Sequence, residues 1–169
     1  MKIEEIFPEV MEIKNKEIRE KTMKIWNNVL EKTGLEDKLD KVPFTILLPT
    51  KTNLVEHTRR VTRMAIEVGK ARGDVNIDYI IAGALLHDVG KLLEYKFKQG
   101  KLCKSELGKL IRHPTYGLSL ALEEKLPVEI AHIVGAHSDD MKVERIPEAT
   151  IIHHCDFIDF EIEKWRVGK

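Results

Sequence analysis

The sequence predicts an all-α fold, and three observations lead there. Apolar residues recur at helical spacing in nearly every segment. Asparagine, proline and glycine stand at the ends of several of those segments, where helices start and stop. One stretch alone alternates with the two-residue period of a strand.

In chain order, "FPEVMEIKNKEIREKTMKIWNNVLEKTG" (7–34) places Met11, Ile18, Met23, Ile25, Trp26, Val29 and Leu30 around one broad face. A helix over about 9–33 follows, with Gly34 as its stop. Pro43 and Pro49 break the pattern over 35–52, which reads as a packed connection. Thr52 or Asn53 caps the next helix, with Glu56 in its first turn. There Leu54, His57, Val61, Met64, Ala65 and Val68 share a stripe that ends at Gly69 or Gly73. A third helix starts near Asp78 and runs through "YIIAGALL" into "HDVGK". The alternating stretch centres on Gln99-Gly100 and predicts one short β-hairpin near 94–104. A short helix, an interruption at His113-Pro114 and another helix occupy 105–126. Prolines then open helices over 127–138 and 147–165. No internal repeat or linker is visible, so residues 1–169 read as one domain with the N-terminal helix packed on it.

The chain has 169 residues, enough to bury roughly 68–70% of its unfolded surface. Lys plus Arg equals Asp plus Glu, so the formal net charge is zero. That balance disfavours nucleic-acid binding driven by phosphate neutralisation. The two cysteines, Cys103 and Cys155, have neither metal-ligand nor redox spacing. No apolar run approaches the ~20 residues that span a bilayer, and no secretory leader is evident. The expectation is a cytoplasmic protein with no membrane role, and the sequence leaves room for a homo-oligomer.

The seven histidines hold the functional information. His57, His87 and His137 each stand where an apolar side chain belongs. One buried imidazole is ordinary in a core, but several repeat the same desolvation cost unless they share a partner. Asp156 poses the same problem, set among Ile151, Ile152, Phe157, Ile158 and Phe160. Imidazoles and carboxylates together suit Mn, Fe, Co, Ni or Zn, and Mg is compatible with the carboxylates. Adjacent His87 and Asp88 point about 100° apart on a helix. They can flank a single ion or reach towards two.

These residues, in this order, resemble the HD superfamily of metal-dependent phosphohydrolases, named for its His-Asp doublet. The resemblance covers about 53–160. "NLVEHTRRVTRMA" looks like the first-histidine helix, "AGALLHDVGK" like the doublet motif and "IIHHCDFID" like the final aspartate helix. "RHPTYG" and "IVGAHS" look like the extra histidine positions of members with two metals. The resemblance implies a compact all-α HD-domain bundle. It also implies a common site of His57, His87, Asp88 and Asp156, with His113 and His137 added in a dinuclear centre and Asp88 as the bridge. The stretch after His137 lacks the paired histidine and Gly-Tyr-Pro segment of the cyclic-di-GMP branch. Ligand order is closer to the HD-type dinucleoside-polyphosphate hydrolases. "KSELGKLIRHPTYG" is similar to HD-type exoribonucleases, without an appended nucleic-acid-binding domain.

The chemistry so implied is hydrolysis, by metal-activated water, of a phosphate ester in a nucleotide or other phosphorylated small molecule. Dinuclear-iron oxygenation and RNA-directed phosphodiester cleavage are the alternatives. Asp88 and Lys91 are the expected catalytic residues. Lys91, Arg60 and His153 are the expected substrate contacts; Arg60 lies three residues after His57 and so shares its side of the helix. His132 and His154 are expected to face elsewhere. Asp159 and Glu161 read as surface acids, and Asp139 and Asp140 as loop acids able to orient a ligand histidine.

Overall fold

The computed structural model describes residues 2–169. In chain order it runs through α1 (Ile3–Ile6), α2 (Lys16–Thr33), α3 (Leu54–Arg72), α4 (Ile77–Leu86), α5 (Lys91–Glu94), β1 (Tyr95–Lys98), β2 (Lys101–Lys104), α6 (Glu106–Leu110), α7 (His113–Glu123), α8 (Val128–Ala136) and α9 (Pro147–Arg166). The class is all-α with one hairpin, as the periodicity predicts.

Helix α4 lies at the centre of the bundle. All seven residues from Ile80 to Leu86 are buried, so it is apolar on every side rather than along one stripe. Helices α2, α3, α8 and α9 pack around it, and α7 lies against α8. Gly83 allows a close approach, since a Cβ there would sit 2.5 Å from a methyl of Ile133 on α8. The indole of Trp26 is fully buried, and its Nε1–H donates to the Leu85 carbonyl at 3.1 Å. That bond satisfies one of the carbonyls left open at the end of α4.

The N-terminal segment departs from the prediction. It is not one helix over 9–33 but a 3-10 turn, Pro8–Glu12, followed by α2. The break has two causes. The Asn15 side chain accepts from Ile18 N–H at 3.2 Å and starts a new helix there. The Asp78 carboxylate accepts the backbone N–H groups of Lys14 and Asn15 at 2.9 and 2.8 Å. Met11, expected on the buried face, is 56% exposed as a result. The other boundaries agree with the signals. Gly34 closes α2 at φ 61°, and Asn53 with Glu56 forms a reciprocal capping box on α3. The hairpin turns through Gln99 and Gly100, both at positive φ.

Among the described residues, no helix is long and apolar enough to cross a membrane.

Candidate metal centre

Five elements deliver the site. His57 comes from α3, His87 and Asp88 from the turn after α4, His113 from the start of α7, His137 from the end of α8 and Asp156 from α9. His57, His87 and His137 are fully buried, Asp88 and His113 nearly so. The doublet turn is fixed by backbone bonds from Val89 to Leu86 at 3.1 Å and from Lys91 to Asp88 at 3.0 Å. Gly90 is required there, because a Cβ would collide with the His113 carbonyl.

Each of four histidines is held by Nδ1, which leaves Nε2 facing inwards. His87 Nδ1 donates to the Ala84 carbonyl at 2.7 Å, and His137 Nδ1 to the Val134 carbonyl at 2.7 Å. His57 Nδ1 meets Asp159 Oδ2 at 2.7 Å, and His113 Nδ1 meets Glu94 Oε2 at 2.9 Å. A neutral imidazole that donates through Nδ1 presents a lone pair at Nε2, the form that binds a metal. These outer partners set the tautomer and ring orientation.

Asp88 lies between two pairs of these nitrogens. Its Oδ2 is 3.4 Å from Nε2 of both His57 and His87. Its Oδ1 is 3.2 Å from His113 Nε2 and 3.8 Å from His137 Nε2. Asp156 joins the first pair, with Oδ1 3.1 Å from His57 Nε2 and 4.0 Å from His87 Nε2. Ligand atoms of His57, His87 and Asp88 lie within 4.8 Å of one another, as do those of Asp88, His113 and His137.

The donor set fits divalent cations. Asp88 Oδ1 and His137 Nε2 are buried with no hydrogen-bond partner, and both face the centre. The charges lean the same way. Burial works against a charged His57, yet hydrogen bonds to Asp156, Asp159 and Asp88 raise it to about 10. A proton there stands where a cation is wanted. Burial, reinforced by His87 and His113, pushes His137 down to about 3 and keeps it neutral. Burial would raise both Asp88 and Asp156, but neighbouring Lys91 and histidines hold Asp88 well below the carboxylate range, and His57 and His87 hold Asp156 below it.

A cavity of about 310 Å³ opens onto the centre. Asp88, Lys91, His113, His137 and Asp156 form its polar part, and Phe44, Ile46, Leu47, Phe157 and Phe160 its apolar part. The HD domain family matches residues 54–161, which span every residue of this centre.

The chain belongs to the HD domain family.

A dihydroneopterin 2',3'-cyclic phosphate phosphodiesterase of Methanocaldococcus jannaschii is 30% identical over 167 residues, covering 89% of this chain and 66% of that relative. The chain thus spans a little under two thirds of the relative's length. No solved structure matches it.

The HD centre gathers the six residues read from the sequence and redistributes the others. Lys91 is buried beside the doublet. Its Nζ donates to Asp88 Oδ2 at 2.6 Å and to the Phe44 carbonyl at 2.5 Å. Arg60 turns away from the cavity and pairs with Asp159 Oδ1 at 2.7 Å and Glu163 at 3.7 Å. It backs the carboxylate that holds His57. His153 lies beside the HD centre but outside the cavity wall, with Nδ1 donating to the His137 carbonyl at 2.7 Å. His154 is exposed, and His132 accepts from Ile146 N–H.

Two residues of the HD centre escape the sequence reading. Asp159, expected on the surface, is 5% exposed and carries His57. Its signal is its position three residues after Asp156, matching Arg60 three after His57 on the facing helix. Glu94 holds His113 across nineteen residues of chain, with Lys104 at 3.1 Å on its other oxygen. No local pattern marks it. Asp139 and Asp140, the sequence candidates for this work, pair instead with Arg145 and with Ser138 and Arg112.

Proposed function

We propose that this protein is a metal-dependent phosphohydrolase that cleaves a phosphodiester in a small molecule. In this reading His57, His87, Asp88 and Asp156 hold one divalent ion, and Asp88, His113 and His137 hold a second. The observation that carries it is the division of Asp88. One oxygen faces His57 and His87 and the other faces His113 and His137, inside a cavity large enough for a small ligand. The relative that acts on a cyclic phosphate supports the same chemistry.

Divalent ions, when bound, supply Lewis acidity at the phosphoryl group and a nucleophile at neutral pH. The chain supplies the arrangement. Asp88 and Asp156 contribute the negative charge that balances the ions. Lys91 has three N–H donors, of which Asp88 and Phe44 take two, so a third remains for a phosphoryl oxygen. Phe44 stacks on His57 with ring centroids 4.5 Å apart and shields that side of the centre from water. Low water content strengthens every charge interaction at the reacting phosphate.

The test is turnover of cyclic and linear phosphodiesters by the purified chain, loaded in turn with Mn, Co, Fe, Ni, Zn and Mg. The expected result is metal-dependent release of the phosphomonoester, equally fast with and without oxygen. Oxygen-dependent turnover, or none with any metal, overturns the reading.

A further inference from the structure

The two halves of the centre differ in depth. His113 and His137 line the cavity with Asp88 and Asp156, whereas His57 and His87 lie behind that wall. They differ in donors as well. Asp156 adds a fourth side chain to His57, His87 and Asp88, with Oδ1 3.1 Å from His57 Nε2. In the other half, among the described residues, Asp88 is the one carboxylate paired with Nε2 of His113 or His137.

The surrounding charges sharpen the contrast. On the His57 side Arg60 offsets Asp159, but among the described residues no lysine or arginine pairs with Asp156. The His113 side has two cations in the cavity wall. Lys104 Nζ is 3.1 Å and Arg112 Nε 3.6 Å from the same oxygen of Glu94, Oε1. The other Glu94 oxygen is taken by the backbone N–H and the Nδ1 of His113, at 3.0 and 2.9 Å. Arg112 also lies 3.6 Å from Asp140 Oδ2, which already accepts from Ser138 Oγ at 3.2 Å. At 3.6 Å neither contact of Arg112 is a hydrogen bond, so its guanidinium donors stay open. A divalent cation therefore meets an unopposed carboxylate in one half and two neighbouring cations in the other.

We propose that Lys104 and Arg112 make the His113–His137 half a weak, exchangeable ion site, which a phosphoryl anion fills by pairing with these two residues. The proposal rests on the phosphohydrolase reading and adds how its second ion is admitted. Lys104 and Arg112 oppose an ion in that half while their own charges are unmatched, and cease to oppose it once an anion lies against them. His57, His87, Asp88 and Asp156 keep their ion throughout, enclosed behind the cavity wall.

The experiment is titration of the metal-free full chain with Mn(II), free ion read by electron paramagnetic resonance, with and without inorganic phosphate. Without phosphate, two classes of site are expected, with Kd values at least about tenfold apart. Phosphate tightens the weak class about tenfold and leaves the tight class unchanged. His113→Ala removes the weak class alone. Lys104→Ala and Arg112→Ala decide the cause. Each is expected to tighten the weak class several-fold without phosphate and to shrink the phosphate effect. If these residues only braced Glu94 against His113, the same variants would weaken that class. Their side chains are 36% and 51% exposed, so both variants are expected to fold, which thermal melts check. A single class of site or none in the wild type, a weak class that is weakened or unchanged in both variants, or a phosphate effect undiminished in both overturns the proposal. These readouts need no turnover, so they decide it even where no phosphodiester is cleaved and the phosphohydrolase reading fails.

Discussion

Asp159→Asn isolates what the partner of His57 contributes. The substitution keeps size and shape but replaces a carboxylate, 2.7 Å from His57 Nδ1, with a neutral amide. The amide accepts less strongly, and if it turns its NH₂ to the ring it favours the tautomer with the proton on Nε2. Loss of such an outer partner typically lowers metal affinity about 10–100-fold, or about 1.4–2.7 kcal/mol. Metal binding stabilises the folded chain in proportion to the logarithm of ligand concentration over Kd. At saturating metal the same 1.4–2.7 kcal/mol is therefore lost from the metal-induced stabilisation. For a chain of this size that shrinks the rise in Tm by about 3–11 °C. The assay is a chelator-competition titration beside melts with and without metal. The effect falls on the ion held by His57, and the ion on the His113 side keeps its affinity. An unchanged affinity for both ions refutes the claim that Asp159 sets the state of His57.

Asp88→Ala removes the proposed shared ligand and is expected to abolish metal retention and turnover together; full activity in that variant sinks the two-ion assignment. His113→Ala and His137→Ala are each expected to lose one equivalent of metal while keeping the fold, read by metal analysis and far-UV circular dichroism. The metal-free chain has a stability window in pH. Burial opposes charge on His57, but its three carboxylate partners raise it from 6.5 to about 10, so its contribution is complete below pH 6.5 and lost as pH rises to 10. Burial likewise opposes charge on Glu94, but bonds to His113 and Lys104 lower it from 4.5 to about 2, so its contribution is present above pH 4.5 and lost as pH falls to 2. Burial keeps His137 neutral in the fold down to about 3, so its contribution is also lost as pH falls below 6.5. Melts of the metal-free chain should peak near pH 6.5, and a Tm still rising from pH 7 to 9 contradicts the His57 assignment.

The helices were legible because burial imposes periodicity, and α4 most of all, since a helix buried on every side reads as an unbroken apolar run. The candidate ligands were legible for the complementary reason. His57, His137 and Asp156 interrupt apolar stripes, and an interruption in a core calls for a partner. The supporting residues follow no such rule. Arg60 lies on the His57 side of α3, which made a substrate contact reasonable. Its actual direction is set by Asp159 and Glu163 on α9, and that depends on how two helices pair. Glu94 reads as the edge of a hairpin because its partner lies beyond the hairpin and α6. The break before α2 depends on Asp78, more than sixty residues away in sequence. In each case the missing information is a tertiary contact, whereas a polar residue set inside an apolar stripe shows its own anomaly.

The two unpaired atoms in the centre fit a metal site better than a structural polar network. Asp88 Oδ1 and His137 Nε2 are buried and 3.8 Å apart, too far for a hydrogen bond. A network selected only for stability would close that gap, since each buried group without a partner costs about 1–3 kcal/mol. Neither atom is free to close it. The His137 ring is held by its bond to the Val134 carbonyl, and the Asp88 carboxylate by Lys91 on its other oxygen. Gly90 fixes the backbone between the doublet and His113 at a separation no larger residue permits. The surrounding core therefore holds the donors apart at a spacing that their own hydrogen bonding does not favour and that a cation between them does.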